Sequence, residues 1–144
     1  MKTDDTDRAI TEALAENGRA TNSDIAAKAG VSEGTVRNRI ARLVESGYLR
    51  VRGMLDPNQV TDRQLVFLGA KVAVSKDLRS AARSVQTLPY VQSVTIVSGR
   101  YDLLVEVFLP SRELISFISD HLSTCTSIAS TESFVAMECV GKRV

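Results

Sequence analysis

Residues 32–49 constrain the fold more strongly than any other part of this 144-residue chain. They read SEGTVRNRIARLVESGYL, and four apolar side chains recur at helical spacing, so that they share one face. Ser32 is a typical helix N-cap, and Gly47 supplies the left-handed residue that commonly ends a helix. The pattern predicts an amphipathic helix whose inner face consists of Val36, Ile40, Leu43 and Val44.

Two further helices are predicted upstream of this one. Residues 23–29 form a short helix rich in small residues, and a Gly-Val pair makes a tight turn into Ser32. Two short helices joined in this way are typical of a helix-turn-helix. An earlier helix starts at Asp5 or Thr6 and stops at an Asn-Gly pair. Its inner face is predicted to consist of Ala9, Ile10, Ala13 and Leu14.

The charge distribution favours a local nucleic-acid contact. Residues 28–52 contain six basic and two acidic side chains, a local charge of +4, whereas the whole chain carries only +1. A concentrated basic patch on a nearly neutral protein suits groove binding. From charge alone the arginines could merely solvate a surface helix, but the helix-turn-helix spacing disfavours that interpretation. The outward face of the predicted helix carries Arg37, Asn38, Arg39 and Arg42.

Composition excludes several other classes of protein. A hydrophobic fraction of 44% is enough for one ordinary domain or two small ones. The longest apolar runs are too short to span a bilayer, and the opening MKTDDTDR lacks the apolar stretch of a signal peptide. We therefore expect a cytoplasmic protein with no membrane partner.

The few cysteine and histidine residues leave little material for catalysis. Cys125 and Cys139 form no CxxC or Cys/His cluster, so we expect ordinary packing and no metal site or cofactor. His121 is the single histidine and falls on a predicted helix. This excludes a conventional catalytic triad and a multi-histidine metal site, and we expect no enzymatic activity.

The second half of the chain predicts a separate domain. Residues 48–52 alternate like a strand, Asp56-Pro57-Asn58 makes a turn, and the polar residues that follow form a linker. The predicted boundaries are a helix-turn-helix domain at residues 1–53, a linker at 54–64 and a second domain at 65–144.

The elements of that second domain follow the order βαββαβ. Strands are predicted at residues 66–74, 91–98, 101–109 and 128–140. Helices are predicted at 77–87 and, capped by Ser111, at 111–122. The inward helix residues are predicted to be Leu78, Ala81, Ala82, Val85, Leu114, Ile115, Phe117, Ile118 and Leu122. The fold class is therefore α+β: an N-terminal helix-turn-helix, winged-helix-like, and a C-terminal ferredoxin-like domain with one uncovered sheet face.

Apolar strand residues exceed what one helix-covered face can bury. Pairing with a second copy of the chain is the economical solution, and it would place two reading helices on a roughly palindromic site. The strand residues in question are Val72, Val74, Val94, Ile96, Val105 and Val107.

Three motifs carry a family resemblance across almost the whole chain. They read Ser32-x-x-x-Val36-x-x-Arg39-Ile40-x-x-Leu43-x-x-x-Gly47-Tyr48-Leu49, Leu55-Asp56-Pro57, and Gly99-Arg100-Tyr101-Asp102-Leu103-Leu104. In this order they resemble the Lrp/AsnC, or feast/famine, transcription regulators. The resemblance implies DNA binding by the first domain, and effector binding and oligomerisation beyond the dimer by the second.

The same resemblance nominates the site residues. The candidates for DNA contact are Ser32, Gly34, Thr35, Arg37, Asn38, Arg39 and Arg42. Arg37 or Arg42 could fork onto guanine, Asn38 could pair with adenine, and the others would mainly hold phosphates. The candidates for binding an effector, expected to be an amino acid, are Gly99, Arg100, Tyr101 and Asp102, with Thr131 and Ser133 as a facing wall.

The chemistry of the loop fits an amino acid but leaves an alternative open. Gly99 lets backbone N–H groups approach a carboxylate, and Asp102 can accept hydrogen bonds from an α-ammonium group. Alternatively, Gly99 is only a hairpin turn and Asp102 its brace.

Two rival functions share this domain plan. An architectural DNA-compacting protein would use the same reading heads with little sequence preference. Siroheme decarboxylases resemble Lrp/AsnC regulators in domain plan, but that activity is expected to need histidines in the pocket, which this chain lacks.

Overall fold

The computed structural model describes residues 2–73 and 77–144. The chain divides into two compact units, Met1–Gly53 and Met54–Val144. No helix among the described residues is both long and apolar enough to cross a membrane.

The first unit contains three helices, as predicted. They are α1 (Asp5–Glu16), α2 (Asn22–Ala29) and α3 (Glu33–Glu45). Each begins at a side-chain cap: Asp4, Thr21 and Ser32 accept hydrogen bonds from backbone N–H groups in their first turns. The shared core consists of Ile10, Ala13, Ile25, Ala26, Val36 and Leu43.

Two details of this unit differ from the prediction. Val44 is 46% exposed, so the buried stripe of α3 is narrower than its spacing indicates. The strand predicted at residues 48–52 is wrong, because residues 2–53 contain no strand at all. Alternation of apolar and polar residues gives a segment two faces. A strand also needs a neighbouring strand that pairs with its backbone N–H and C=O groups, and residues 2–53 provide none.

The second unit is a four-stranded antiparallel sheet with helical segments on one face, which confirms the predicted fold class. Its regular elements are β1 (Arg63–Val72), α4 (Leu78–Gln86), β2 (Val91–Ile96), β3 (Leu103–Pro110) and β4 (Ile128–Val135). The strand order is β2-β3-β1-β4. The predicted first strand extends to Val74, which lies outside the described residues.

The covered face of this sheet holds the main core. It includes Val66, Leu68, Ala70, Leu103, Val105, Val107, Val85, Phe117 and Leu122. Three of the valines that were expected to create an excess of apolar surface belong to this core and are buried there: Val72, Val105 and Val107. The exposed apolar side chains on the uncovered face are different ones: Phe67, Leu104 and Phe134.

The helical segment between β3 and β4 is irregular. It runs through a 3₁₀ turn (Ser111–Glu113), an α turn (Leu114–Ser116), a π turn (Phe117–His121) and a second 3₁₀ turn (Leu122–Thr124). Ser111 makes no capping hydrogen bond, because the segment opens with a 3₁₀ turn directly after Pro110.

Both predicted inner faces of the second unit's helices are too wide. Ile115 is 81% exposed, since it lies about a quarter turn round from Leu114 and outside the buried stripe. Leu78, the first residue of α4, is also exposed, and the packed face begins at Ala81.

The last strand ends earlier than predicted, at Val135 instead of residue 140. The residues beyond it run back across the uncovered sheet face, where Val144 packs with Leu65 and Phe108. Leu55 and Val144 exchange backbone hydrogen bonds of 2.7 and 2.9 Å, which anchors the end of this tail.

Candidate DNA and effector sites

The outer surface of α3 presents a small set of polar side chains between small residues. Arg37 and Asn38 are exposed and adjacent to Gly34 and Ala41, which lie one helical turn away on the same side. Gly34 and Ala41 add little bulk, so they leave the backbone of α3 accessible. This arrangement suits the close approach of a helix to a DNA groove.

The start of α3 is fixed by two hydroxyls. Ser32 Oγ accepts a hydrogen bond from the Thr35 backbone N–H at 3.1 Å, and the two side-chain hydroxyl oxygens lie 2.9 Å apart. Both hydroxyls lie at the helix N-terminus, where the helix dipole favours an anion such as a phosphate.

The other two arginines of α3 are held by carboxylates from α1. Arg39 Nη1 donates to Asp4 at 2.6 Å and to Asp7 at 3.2 Å, and Arg42 Nη2 donates to Asp7 at 2.6 Å. Asp7 is only 1% exposed. The hydrogen bond from the Asp7 backbone N–H, together with the Arg39 guanidinium, holds the pKa of the Asp4 carboxyl below its ordinary 3.8. Sequence reasoning missed both aspartates as partners of α3.

The loop before β3 carries the predicted effector residues. Gly99 has a φ of +121°, which only glycine adopts readily, so this turn requires a glycine at residue 99. Arg100 is exposed, and its Nη2 lies 3.3 Å from Oε2 of Glu132. The Tyr101 hydroxyl donates a hydrogen bond to that same carboxylate, which raises the pKa of Tyr101 above its ordinary 10.0.

Asp102 braces the sheet. One of its carboxylate oxygens accepts the Val72 backbone N–H at 2.9 Å, and the other lies 3.5 Å from Lys71 Nζ. Its backbone N–H donates to the Ala70 carbonyl at 2.9 Å. Both carboxylate oxygens therefore have partners within the chain. The alternative interpretation, in which Asp102 is a structural brace, predicts this arrangement.

Thr131 and Ser133 do not face that loop within one chain. They pair with Ala70 and Leu68 and point to the helix-covered side of the sheet, whereas Glu132 and Tyr101 lie on the uncovered side. Thr131 instead lines a shallow cavity of about 190 Å³ beside the π turn. The side-chain period of a strand is two, so neighbours on β4 necessarily serve opposite faces.

Two family models match the two units in order. Residues 3–50 match a winged helix-turn-helix DNA-binding domain, and residues 65–143 match the Lrp/AsnC ligand-binding domain. This chain belongs to the Lrp/AsnC family. The match confirms the resemblance inferred from the motifs, and the protein is a DNA-binding transcriptional regulator with a ligand-binding domain.

Relatives of this Lrp/AsnC protein span nearly its whole length. An uncharacterized HTH-type transcriptional regulator of Pyrococcus abyssi is 30% identical over 137 residues, covering 94% of this chain and 86% of the relative. The structure of Escherichia coli AsnC is 25% identical, with a TM-score of 0.69 and coverage of 100% and 98%. A transcriptional regulator from Neisseria meningitidis, solved in complex with L-Met, is 26% identical, with a TM-score of 0.72 and coverage of 98% and 94%.

The structure also gives the state of the cysteines and of potential metal ligands in this Lrp/AsnC protein. Cys125 is buried, Cys139 is half-buried, and both are free thiols. Within residues 2–73 and 77–144, no group of three or more His, Cys, Asp and Glu side chains is placed to hold a metal ion.

Proposed function

We propose that this regulator reads a roughly palindromic DNA sequence as a homodimer and that a bound amino acid alters its assembly or DNA affinity. Residues 1–53 act as the DNA-binding domain, 54–64 as the linker and 65–144 as the effector and oligomerisation domain. The protein acts in the cytoplasm. The observation that carries the proposal is the joint match of a helix-turn-helix and an Lrp/AsnC ligand-binding domain on one chain.

The DNA-facing surface is the outer side of α3 and its N-terminus. Arg37 is exposed and forms no ion pair among the described residues, so its guanidinium is available to fork onto guanine O6 and N7. Asn38 beside it can pair with adenine. The hydroxyls of Ser32 and Thr35 and the backbone at Gly34 approach phosphates, and Arg39 and Arg42 border this surface.

The effector binds at the loop of residues 99–102. The exposed guanidinium of Arg100 suits the carboxylate of an amino acid, and the carboxylate of Glu132 suits its ammonium group. Gly99, Tyr101 and Asp102 shape the loop. Thr131 and Ser133 can join this site only from another copy of the chain, because they lie on the opposite face of their own sheet. Further assembly of dimers would supply that copy.

The uncovered sheet face forms the dimer interface. Phe67, Leu104 and Phe134 are 39%, 44% and 45% exposed there, and Phe67 lies directly opposite Phe134 in the register of β1 and β4. Phe134→Glu is expected to yield monomers in sedimentation velocity. Ile96→Glu is the matched control, since Ile96 is 43% exposed in the same sheet but points to the other face. Equal effects of both variants would rule out this interface.

The deciding experiment is retention of genomic fragments, including the protein's own promoter, at physiological salt, with and without the twenty amino acids. Selective retention that the pool alters supports an effector-tuned regulator. Uniform retention instead favours an architectural role, because specificity is a ratio to random DNA. If no fragment is retained and the purified protein absorbs light as a siroheme complex, the siroheme decarboxylase alternative replaces this proposal.

A further inference from the structure

Two carboxylates at the start of α1 neutralise two of the three arginines of α3. One carboxylate oxygen of Asp7 accepts a hydrogen bond from Arg39, and the other accepts one from Arg42. Asp4, which lies nearer solvent, accepts a second hydrogen bond from Arg39. Asp7 is the one charged side chain that is buried among the described residues. A buried carboxylate with two guanidinium partners holds them firmly, because losing either would leave a charge uncompensated away from water.

This arrangement changes which charges are available to DNA. Two aspartates balance two arginines, and Lys28 is paired with Glu16 at 3.4 Å. A phosphate presents the same kind of paired acceptor oxygens to a guanidinium as a carboxylate does. Arg39 and Arg42 are therefore already satisfied, and phosphates would have to compete with Asp4 and Asp7 for them.

The unpaired arginine of α3 stands in a different position. Arg37 lies on the outer side, one turn from Gly34, and has no carboxylate partner among the described residues. The helix thus combines one free guanidinium for reading with two that are restrained. A DNA-binding surface with fewer mobile cations attracts random DNA less, since non-specific affinity comes from counterion release at phosphates.

We propose that Asp7, assisted by Asp4, is a specificity-determining positioning residue: it restrains Arg39 and Arg42 so that they do not add non-specific phosphate contacts, and leaves base reading to Arg37. This inference rests on the proposed role of α3 in DNA contact. Asp7 itself touches no DNA; it acts through the two arginines. Its removal should therefore increase affinity for random DNA and lower the ratio of operator to random affinity.

The test uses the full chain with Asp7→Asn, Asp4→Asn and the control Asp5→Asn. Asp5 is also in the first turn of α1, but among the described residues it pairs only with exposed Arg8. Affinities for a retained genomic fragment and for a random duplex of equal length are measured across a salt series. Each new phosphate contact steepens the slope of log affinity against log salt by about 0.9.

For Asp7→Asn we expect the random-duplex slope to steepen by about 1 to 2 and the specificity ratio to fall at least several-fold, because up to two arginines are released. Asp4→Asn, which frees Arg39 from one of its two partners, should shift both in the same direction by less. Asp5→Asn should leave both close to wild type. If Asp7→Asn and Asp5→Asn give the same slope and ratio, the proposal is wrong.

A second pair of variants keeps the test valid if Asp7→Asn does not fold. With the carboxylates intact, Arg42→Gln should leave the random-duplex slope unchanged. Arg37→Gln should instead lower operator affinity about tenfold to hundredfold while the salt slope stays near wild type, because a base contact is lost and not a phosphate contact. A flattening of the random-duplex slope by about 0.9 in Arg42→Gln overturns the restraint of Arg42, because it would show that Arg42 already contacts a phosphate. If Arg37→Gln changes affinity for neither DNA, base reading is not left to Arg37 and this inference fails, whereas the proposed function is tested separately by the retention of genomic fragments.

Discussion

The ring of Tyr101 lies across Gly69, and a β-carbon added at residue 69 would stand 2.6 to 2.7 Å from three of its ring carbons. Gly69 lies in the interior of β1, where glycine is otherwise unfavourable. Because it has no side chain, the Tyr101 ring can pack directly on the strand. The Tyr101 ring also packs edge-on against Phe134. One glycine therefore allows an aromatic cluster to lie flat on the uncovered sheet face.

Gly69→Ala is expected to destabilise the second unit by about 1–3 kcal/mol, because the new methyl group must displace the Tyr101 ring. Urea unfolding monitored by circular dichroism measures the loss. Gly53→Ala is the control, since a β-carbon there meets nothing within 4 Å, and it should change stability little. Adding Tyr101→Ala should abolish most of the cost of Gly69→Ala; a full cost in that background would contradict the steric explanation.

The sequence predicted the elements that local chemistry determines. Asp4, Thr21, Ser32 and Asp77 cap helices that also show a clear apolar stripe, so cap and period agree about where each helix begins. Prediction failed in two places where local signals were not enough. The alternation of residues 48–52 had no partner strand, and the helical segment after Pro110 changes its period from turn to turn.

Prediction of the candidate sites was limited by contacts that are distant in sequence. The exposed positions of Arg37 and Asn38 follow from the helical period alone. The restraint of Arg39 and Arg42 depends on carboxylates 32 to 35 residues earlier, and the pairing of Arg100 with Glu132 depends on the register of β4. Such pairs appear only once helices pack and strands align.

The side chain of Asn58 should stabilise the segment that follows β4. Its amide nitrogen donates to the Cys139 carbonyl at 2.7 Å, and its amide oxygen accepts the Cys139 N–H at 2.9 Å. Asn58→Ala removes both hydrogen bonds and is expected to cost about 1–2 kcal/mol. Hydrogen exchange at the Cys139 amide should accelerate in this variant. Gln59→Ala, at the exposed neighbouring position, should leave that exchange rate unchanged; acceleration in both variants would mean that the turn itself has loosened.

The Asp4 carboxyl should make folding stability depend on pH in the acid range. Its pKa is lower in the folded chain than the ordinary 3.8, so its stabilising contribution is present above 3.8 and is lost as the pH falls through the folded value. The stability difference between wild type and Asp4→Asn should therefore shrink steadily below pH 3.8. Parallel urea titrations from pH 6 down to pH 2 measure it. A difference that stays constant over this range would show that Asp4 contributes no proton linkage.

Replacing Arg37 by lysine separates base reading from simple charge attraction. Lysine keeps the positive charge but cannot present two N–H groups in a fixed fork to guanine O6 and N7. For Arg37→Lys we expect operator affinity to fall about tenfold to hundredfold, while affinity for random DNA stays near wild type. Arg8→Lys, on the exposed face of α1, is the matched control and should change neither affinity. Competition binding of operator against random duplex at one salt concentration measures both quantities. If Arg37→Lys binds the operator as tightly as wild type does, Arg37 contacts a phosphate instead of a base. Base recognition by α3 then depends on Asn38.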